Sequence, residues 1–201
     1  MSKIKENSGV LVQGHIKIHD PESGAVFVNK RNAIHYENMS IALAESVANQ
    51  GQGFISSMAF GNGGTSVDPT GIITYLTPNS TGTNASLYNQ TFTKIVDDRS
   101  VSNLDPQRNK IETRHVNGTN YTDVVVTCLL DYGEPNGQDA TDTASASDSL
   151  YVFDELGLVS YASSGTGKLL THVIFHPVQK SLNRLIQIDN TVRVQTLTGF
   201  N

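Results

Sequence analysis

The chain has 201 residues, with 14 Lys and Arg against 19 Asp and Glu, and a formal net charge of -5. That acidic balance argues against nucleic-acid binding, because neutralising phosphates needs a basic face. No apolar run of ~18 residues offers a membrane-crossing helix, the opening Met1-Ser-Lys-Ile lacks the apolar core of a secretory signal, and a single cysteine, Cys128, excludes an internal disulfide or a cysteine-built zinc site.

Only 16% of the residues are charged, and much of the polarity comes from Ser, Thr and Asn, which together number about 55. Asn and Gly supply the positive φ that turns need, and Thr suits a pleated surface, so this composition predicts many short strands. Gly14 to Asp20 alternates, with Ile16 and Ile18 on one face and His15, Lys17 and His19 on the other. Pro21-Glu-Ser-Gly24 is turn chemistry, and Ala25 to Asn29 returns as the second strand of a hairpin. Its local charge and its place before the helix predict an N-terminal arm over residues 1–30. The remaining residues, 31–201, are then the folded domain. Such an arm would grip a neighbour by strand addition through Ile16, Ile18, Val26, Phe27 and Val28.

One helix is expected, from His35 to Asn49. Met39, Leu43 and Val47 recur every four residues, Glu37 suits the first turn, and Asn49-Gln-Gly51 is a stop signal. Phe54 to Phe60 reads as a buried strand ended by Gly61-Asn-Gly-Gly64. A long polar loop, Thr65 to Leu87, contains one apolar patch at Ile72 to Leu76. Strands resume at Gln90 to Val96. Ile111 to Val116, then Asn117-Gly118, then Tyr121 to Leu130 read as a second hairpin with a type I′ turn. After a second polar loop, Asp131 to Ser149, the last strands are Tyr151 to Leu158, Leu169 to Val178 and Arg184 to Leu197, the last bent at Asp189-Asn190. The sum is a mainly β, antiparallel sandwich or barrel-like domain with one helix packed on it and long polar loops.

The motifs that carry chemistry do not assemble. Ser163-Ser-Gly-Thr-Gly-Lys168 has Ala162 where a phosphate loop needs Gly and Leu169 where it needs Ser or Thr, and it leads into a strand, so a hairpin turn is expected. His15 and His19 are ~13 Å apart along a strand, too far to share an ion, and His172 and His176 repeat that spacing. The acidic residues Asp131, Glu134, Asp139, Asp142 and Asp148 lack the spacing of a calcium loop. Asp97-Asp98 and Asp154-Glu155 are adjacent pairs whose side chains diverge in extended chain, whereas glycoside hydrolysis needs two facing carboxylates. Cys128 lies in an apolar run and reads as an inert core thiol. The expectation is a non-enzyme without cofactor, metal or catalytic residues.

Two stretches carry a resemblance. Phe153-Asp-Glu-Leu-Gly-Leu158 is followed by Gly167-Lys-Leu-Leu-Thr-His172, Phe175-His-Pro-Val-Gln-Lys180 and Leu185-Ile-Gln-Ile188. Upstream, Asn32-Ala-Ile-His35 opens a helix and Ile55-Ser-Ser-Met-Ala-Phe-Gly-Asn-Gly-Gly64 precedes a Thr- and Pro-rich loop. This order, over Asn32 to Val194, resembles small virion structural proteins of tailed bacteriophages. Neck or collar, tail-fibre or baseplate-associated, and capsid decoration types are resembled alike. The resemblance implies a subunit made in the host cytoplasm and built into the virion in multiple copies, with portal, tail or capsid subunits as partners. The neck or collar is the first choice of position. The alternative is a receptor- or carbohydrate-binding module, with Tyr75, Tyr88, Tyr121 and Tyr151 as stacking surfaces. In the matched stretch, Leu156 and Leu158 are expected in the core, Glu155 outside or paired with a base, Gly157 at a close backbone approach, and Pro177 at an edge or bulge.

Overall fold

A computed structural model describes residues 8–135 and 150–198. It is mainly β, as the composition predicts, with one helix and eleven strands among the described residues. Nine strands form one antiparallel sheet curled into a half-barrel. They are β1 (Ser8–His19), β2 (Val26–Ile34), β3 (Ile55–Gly61), β6 (Gln90–Ile95), β7 (Lys110–His115), β8 (Tyr121–Leu130), β9 (Leu150–Ser160), β10 (Thr171–Ser181) and β11 (Ile186–Thr198). Their spatial order is β6-β3-β9-β10-β2-β1-β11-β8-β7. The short β4 (Thr65–Val67) and β5 (Ile73–Tyr75) pair with each other in the long polar loop.

Strand alternation gives the sheet two buried faces. Met58 and Phe60 of β3 join the main core with Ile16, Ile18, Val126, Leu130, Leu158 and Ile188. Ala59, between them, belongs to a second cluster with Leu87 and Leu169. Aromatic contacts bind the main core along one side: Phe60 meets Phe153 edge-on at 5.5 Å, and Phe153 meets Phe175 at 5.7 Å.

The N-terminal hairpin is part of this core and not an arm. β1 lies between β2 and β11, paired with β11 from Ser8↔Thr198 to His19↔Gln187. Ile16 and Ile18 are fully buried, and Val28 is nearly so. The charged outer face that suggested an arm is real, but the apolar face lies against the common core. The division at residue 30 therefore falls inside β2, in the middle of the sheet.

The helix α1 spans Tyr36–Val47. His35 caps it: its Nδ1 accepts the Asn38 N–H at 3.2 Å. Asn49 ends it in the left-handed region, at φ 52°. Met39 and Ala42 are buried and Leu43 packs on the core, but Val47 is exposed. A four-residue step overshoots one turn by ~40°, so a residue two steps from Met39 has rotated off the buried face.

Two local expectations change. β11 runs straight through Asp189-Asn190, registered against both β1 and β8. Its polar side chains have cross-strand partners: Asp189 accepts from His19 Nε2 at 2.9 Å, and Asn190 Oδ1 accepts from Asn32 Nδ2 at 3.2 Å. A break is therefore unnecessary. The β7–β8 turn carries positive φ at Gly118 but not at Asn117, with the Thr119 N–H donating to the Val116 carbonyl at 3.1 Å. That is the pattern of a type II turn, not type I′. Elsewhere local chemistry reads through. Pro177 lies in the bulge between Ile174 and Val178. A Cβ on Gly157 would meet the Thr171 carbonyl oxygen at 2.4 Å, so only glycine admits that approach.

Candidate functional site

The densest polar construction is built around β9. Asp154 and Glu155 are adjacent on the strand, and both reach the corner after β3, while Glu155 also reaches the loop before β6. Asp154 Oδ1 accepts the Gly64 N–H at 2.9 Å, and its Oδ2 accepts the Thr65 N–H at 2.9 Å and the Thr65 hydroxyl. Glu155 Oε1 accepts the N–H groups of Gly63 at 3.1 Å and Asn89 at 2.8 Å. Its Oε2 accepts the Tyr88 N–H at 3.0 Å and Nε2 of His172 at 3.0 Å. The two carboxylates thus fasten the glycine corner after β3 and the loop before β6 onto β9.

His172 completes the arrangement from β10. Its Nδ1 accepts the Asn79 N–H at 2.8 Å, so Nδ1 carries no proton and Nε2 donates to Glu155. Both side chains are fully buried. Burial alone raises the Glu155 carboxyl, but the His172 hydrogen bond and three backbone N–H donors outweigh it and hold the group below the usual range. Gly63 and Gly64 are required by crowding: a Cβ on either would sit 2.9 Å or less from a neighbour.

Chemically this is a clamp. A hydrolytic carboxylate needs an open lone pair or proton facing substrate, and Glu155 already receives four donors. Of the two positions expected for Glu155, outside or paired with a base, the structure has the second, with His172 as the partner and both side chains buried. Sequence reading missed His172 and Asn79. The available signal was an acidic dipeptide inside an otherwise apolar strand, since buried charge demands partners.

Other sequence-singled residues fall apart in space. Asp97 accepts from Arg99. Asp131 and Glu134 pair with Arg108 and Lys94, while Asp139, Asp142 and Asp148 lie outside the described residues. Among the described residues no group of His, Cys, Asp and Glu is placed to hold a metal ion. Cys128 is buried, and burial pushes its thiol up to about 12. The segment Ser163–Lys168 connects β9 to β10, closed by Ser160 N–H on the Lys168 carbonyl at 2.9 Å and Lys168 N–H on Ser160 Oγ at 3.0 Å. It is the expected hairpin.

Of the expected contact residues, Ile16, Ile18 and Val28 are core and unreachable. Phe27 is half-buried under the Arg184 guanidinium, whose carbon lies 4.5 Å from the ring centre. Val26, Tyr75 and Tyr88 are exposed, and the Tyr88 hydroxyl donates to the Thr77 carbonyl. Tyr151 is buried against Thr91, and Tyr121 lies under Arg193, so neither is a free stacking surface. One exposed feature was not anticipated. From Gly9 to Gln13, β1 pairs with β11 on one side and, among the described residues, with no strand on the other. Val10 and Leu11 are exposed there. Compared with known proteins, the chain matches no protein family, no curated protein and no solved structure.

Proposed function

We propose that this protein is a non-enzymatic structural subunit of a tailed-phage virion, assembled in several copies at the neck or collar. The observation that supports the non-enzymatic part is that Asp154 and Glu155 are saturated by donors from the chain itself and Asp97, the other hydrolytic candidate, accepts from Arg99. The virion part rests on the sequence resemblance over Asn32 to Val194.

With the hairpin in the core, contacts between copies fall on the unpaired stretch of β1. A second copy is its natural occupant. Antiparallel pairing about Leu11 sets Val10 opposite Val12 of the other copy, and Gly9 to Gln13 carries no charge to oppose it. The test is mass spectrometry of purified particles joined to image reconstruction. The expected result is multi-copy density at the head–tail junction. Absence from the particles, or turnover of a substrate by the purified protein, overturns the reading.

A further inference from the structure

A second concavity, separate from the clamp and the β1 edge, has the chemistry of a ligand site. It is a groove of about 530 Å³ between the 83–87 loop and the β9–β10 connection, floored by β3, β6 and the end of β9. Its size lies within the ~300–1,000 Å³ of small-molecule sites. Its lining is rich in neutral hydrogen-bonding groups, including Thr83, Asn84, Ser86, Gln90 and Thr166. No carboxylate lines it; the single charge is Lys168, half-buried and with no side-chain partner among the described residues.

Tyr161 supplies an aromatic wall. Its ring stacks on Phe54 at 4.9 Å and 8°, and its backbone N–H donates to the Phe54 carbonyl at 2.7 Å. The ring is therefore fixed before any ligand arrives, yet the residue stays 41% exposed. Such a platform binds without the entropy loss of ordering a free side chain.

Hydroxyls and amides that both donate and accept match a ligand covered in hydroxyl groups. A fixed aromatic face matches the C–H face of a pyranose. An unpaired ammonium in an otherwise uncharged groove matches one anionic substituent. We infer that this groove binds an acidic saccharide, with Tyr161 stacked on a sugar ring and Lys168 on its carboxylate or sulfate. This goes beyond the assembly reading and stands or falls separately from it.

The experiment titrates the ¹⁵N-labelled full chain with three probes: oligogalacturonate, a sulfated heparin-derived oligosaccharide, and neutral cellotriose. Either acidic probe should move the amides of Thr83 to Leu87, Tyr161 and Lys168. The preferred one of the two identifies the anion as carboxylate or sulfate. Lys168→Ala should weaken acidic binding about tenfold or more while leaving cellotriose unchanged. Tyr161→Ala should weaken all probes that bind, and Lys168→Gln serves if the alanine variant melts lower than the parent. Absence of groove shifts at about 10 mM of every probe overturns the inference. So does acidic binding that survives loss of the Lys168 charge, or cellotriose binding as tight as the acidic probes.

Discussion

Two regions of the sheet bury charge in opposite senses. At the clamp, anions grip backbone N–H groups: Glu155 holds three and Asp154 two. Where the chain leaves β8, cations grip backbone carbonyls. Lys180 Nζ, fully within the protein, donates to the Asp131 and Ser181 carbonyls at 3.0 and 2.8 Å, and Lys94 Nζ donates to the Leu129 carbonyl at 2.7 Å while pairing with Glu134. Both devices solve one problem. The Gly- and Asn-rich corner after β3 and the turn that leaves β8 have little apolar surface of their own, and in each a buried charge collects backbone dipoles. The energetic balance differs. Glu155 is ringed by donors and lies below its ordinary pKa, whereas burial lowers the Lys180 ammonium despite the attraction of Glu134 and Asp131. The anion is the better-compensated charge.

Glu155→Gln should have the largest effect. The amide keeps an acceptor for part of the ring but turns an NH₂ on two of its donors. Leaving two donors unmatched, at least one of them only part-buried, costs about 2–4 kcal/mol in all. Denaturant unfolding should show that loss, and hydrogen exchange should quicken at Gly63, Tyr88 and Asn89. A cost under about 1 kcal/mol, which is typical of a solvent-screened group, would remove the clamp from the fold's energetics. The acid limb gives a second reading. The folded Glu155 pKa lies below the unfolded value, so its stabilisation is present above roughly pH 4.5 and disappears as pH falls through the folded value. The parent should therefore lose stability on acidification more steeply than Glu155→Gln.

Lys180→Met tests the weaker partner. It removes a donor from two carbonyls but also removes a buried charge, and these oppose each other, so a net change of about 1 kcal/mol is expected. The pH signature is distinct. The folded Lys180 pKa lies below the unfolded 10.5, so the unfolded chain holds more protons in the alkaline range. The parent should gain on Lys180→Met as pH rises from neutrality toward that value. A flat difference between the two would show that the ammonium is not desolvated.

Much of this plan is legible in the sequence, within a definable limit. Ile16 and Ile18 mark a strand because alternation is local, and Gly157 and Pro177 announce a close approach and a bulge because their backbone limits are intrinsic. What the sequence hides is the partner at long range. β1 becomes central only by pairing with β11, about 170 residues away, and that pairing turns an apparent arm into core. That Asp154 and Glu155 leave the strand on opposite faces follows from strand geometry, but their meeting on the corner after β3 does not. Their targets at residues 63–65 and 88–89 depend on loops whose polar composition contains no period to follow.

The smallest expected effect reports which region opens first. Cys128 lies on β8, one residue before the carbonyl that Lys94 holds, and burial lifts its thiol to about 12. Thiolate is the reactive form, so alkylation by a maleimide at neutral pH requires local opening that exposes the sulfur. The native protein should resist labelling for hours. Lys94→Met frees the Leu129 carbonyl and should speed labelling several-fold with little change in global stability. Asp154→Asn loosens the corner after β3, which Asp154 ties to β9 and not to β8, and should leave the labelling rate at the parent value. Equal acceleration by both substitutions would mean that the two regions open as one cooperative unit, and the distinction between an anion clamp and a cation clamp would then have no dynamic consequence.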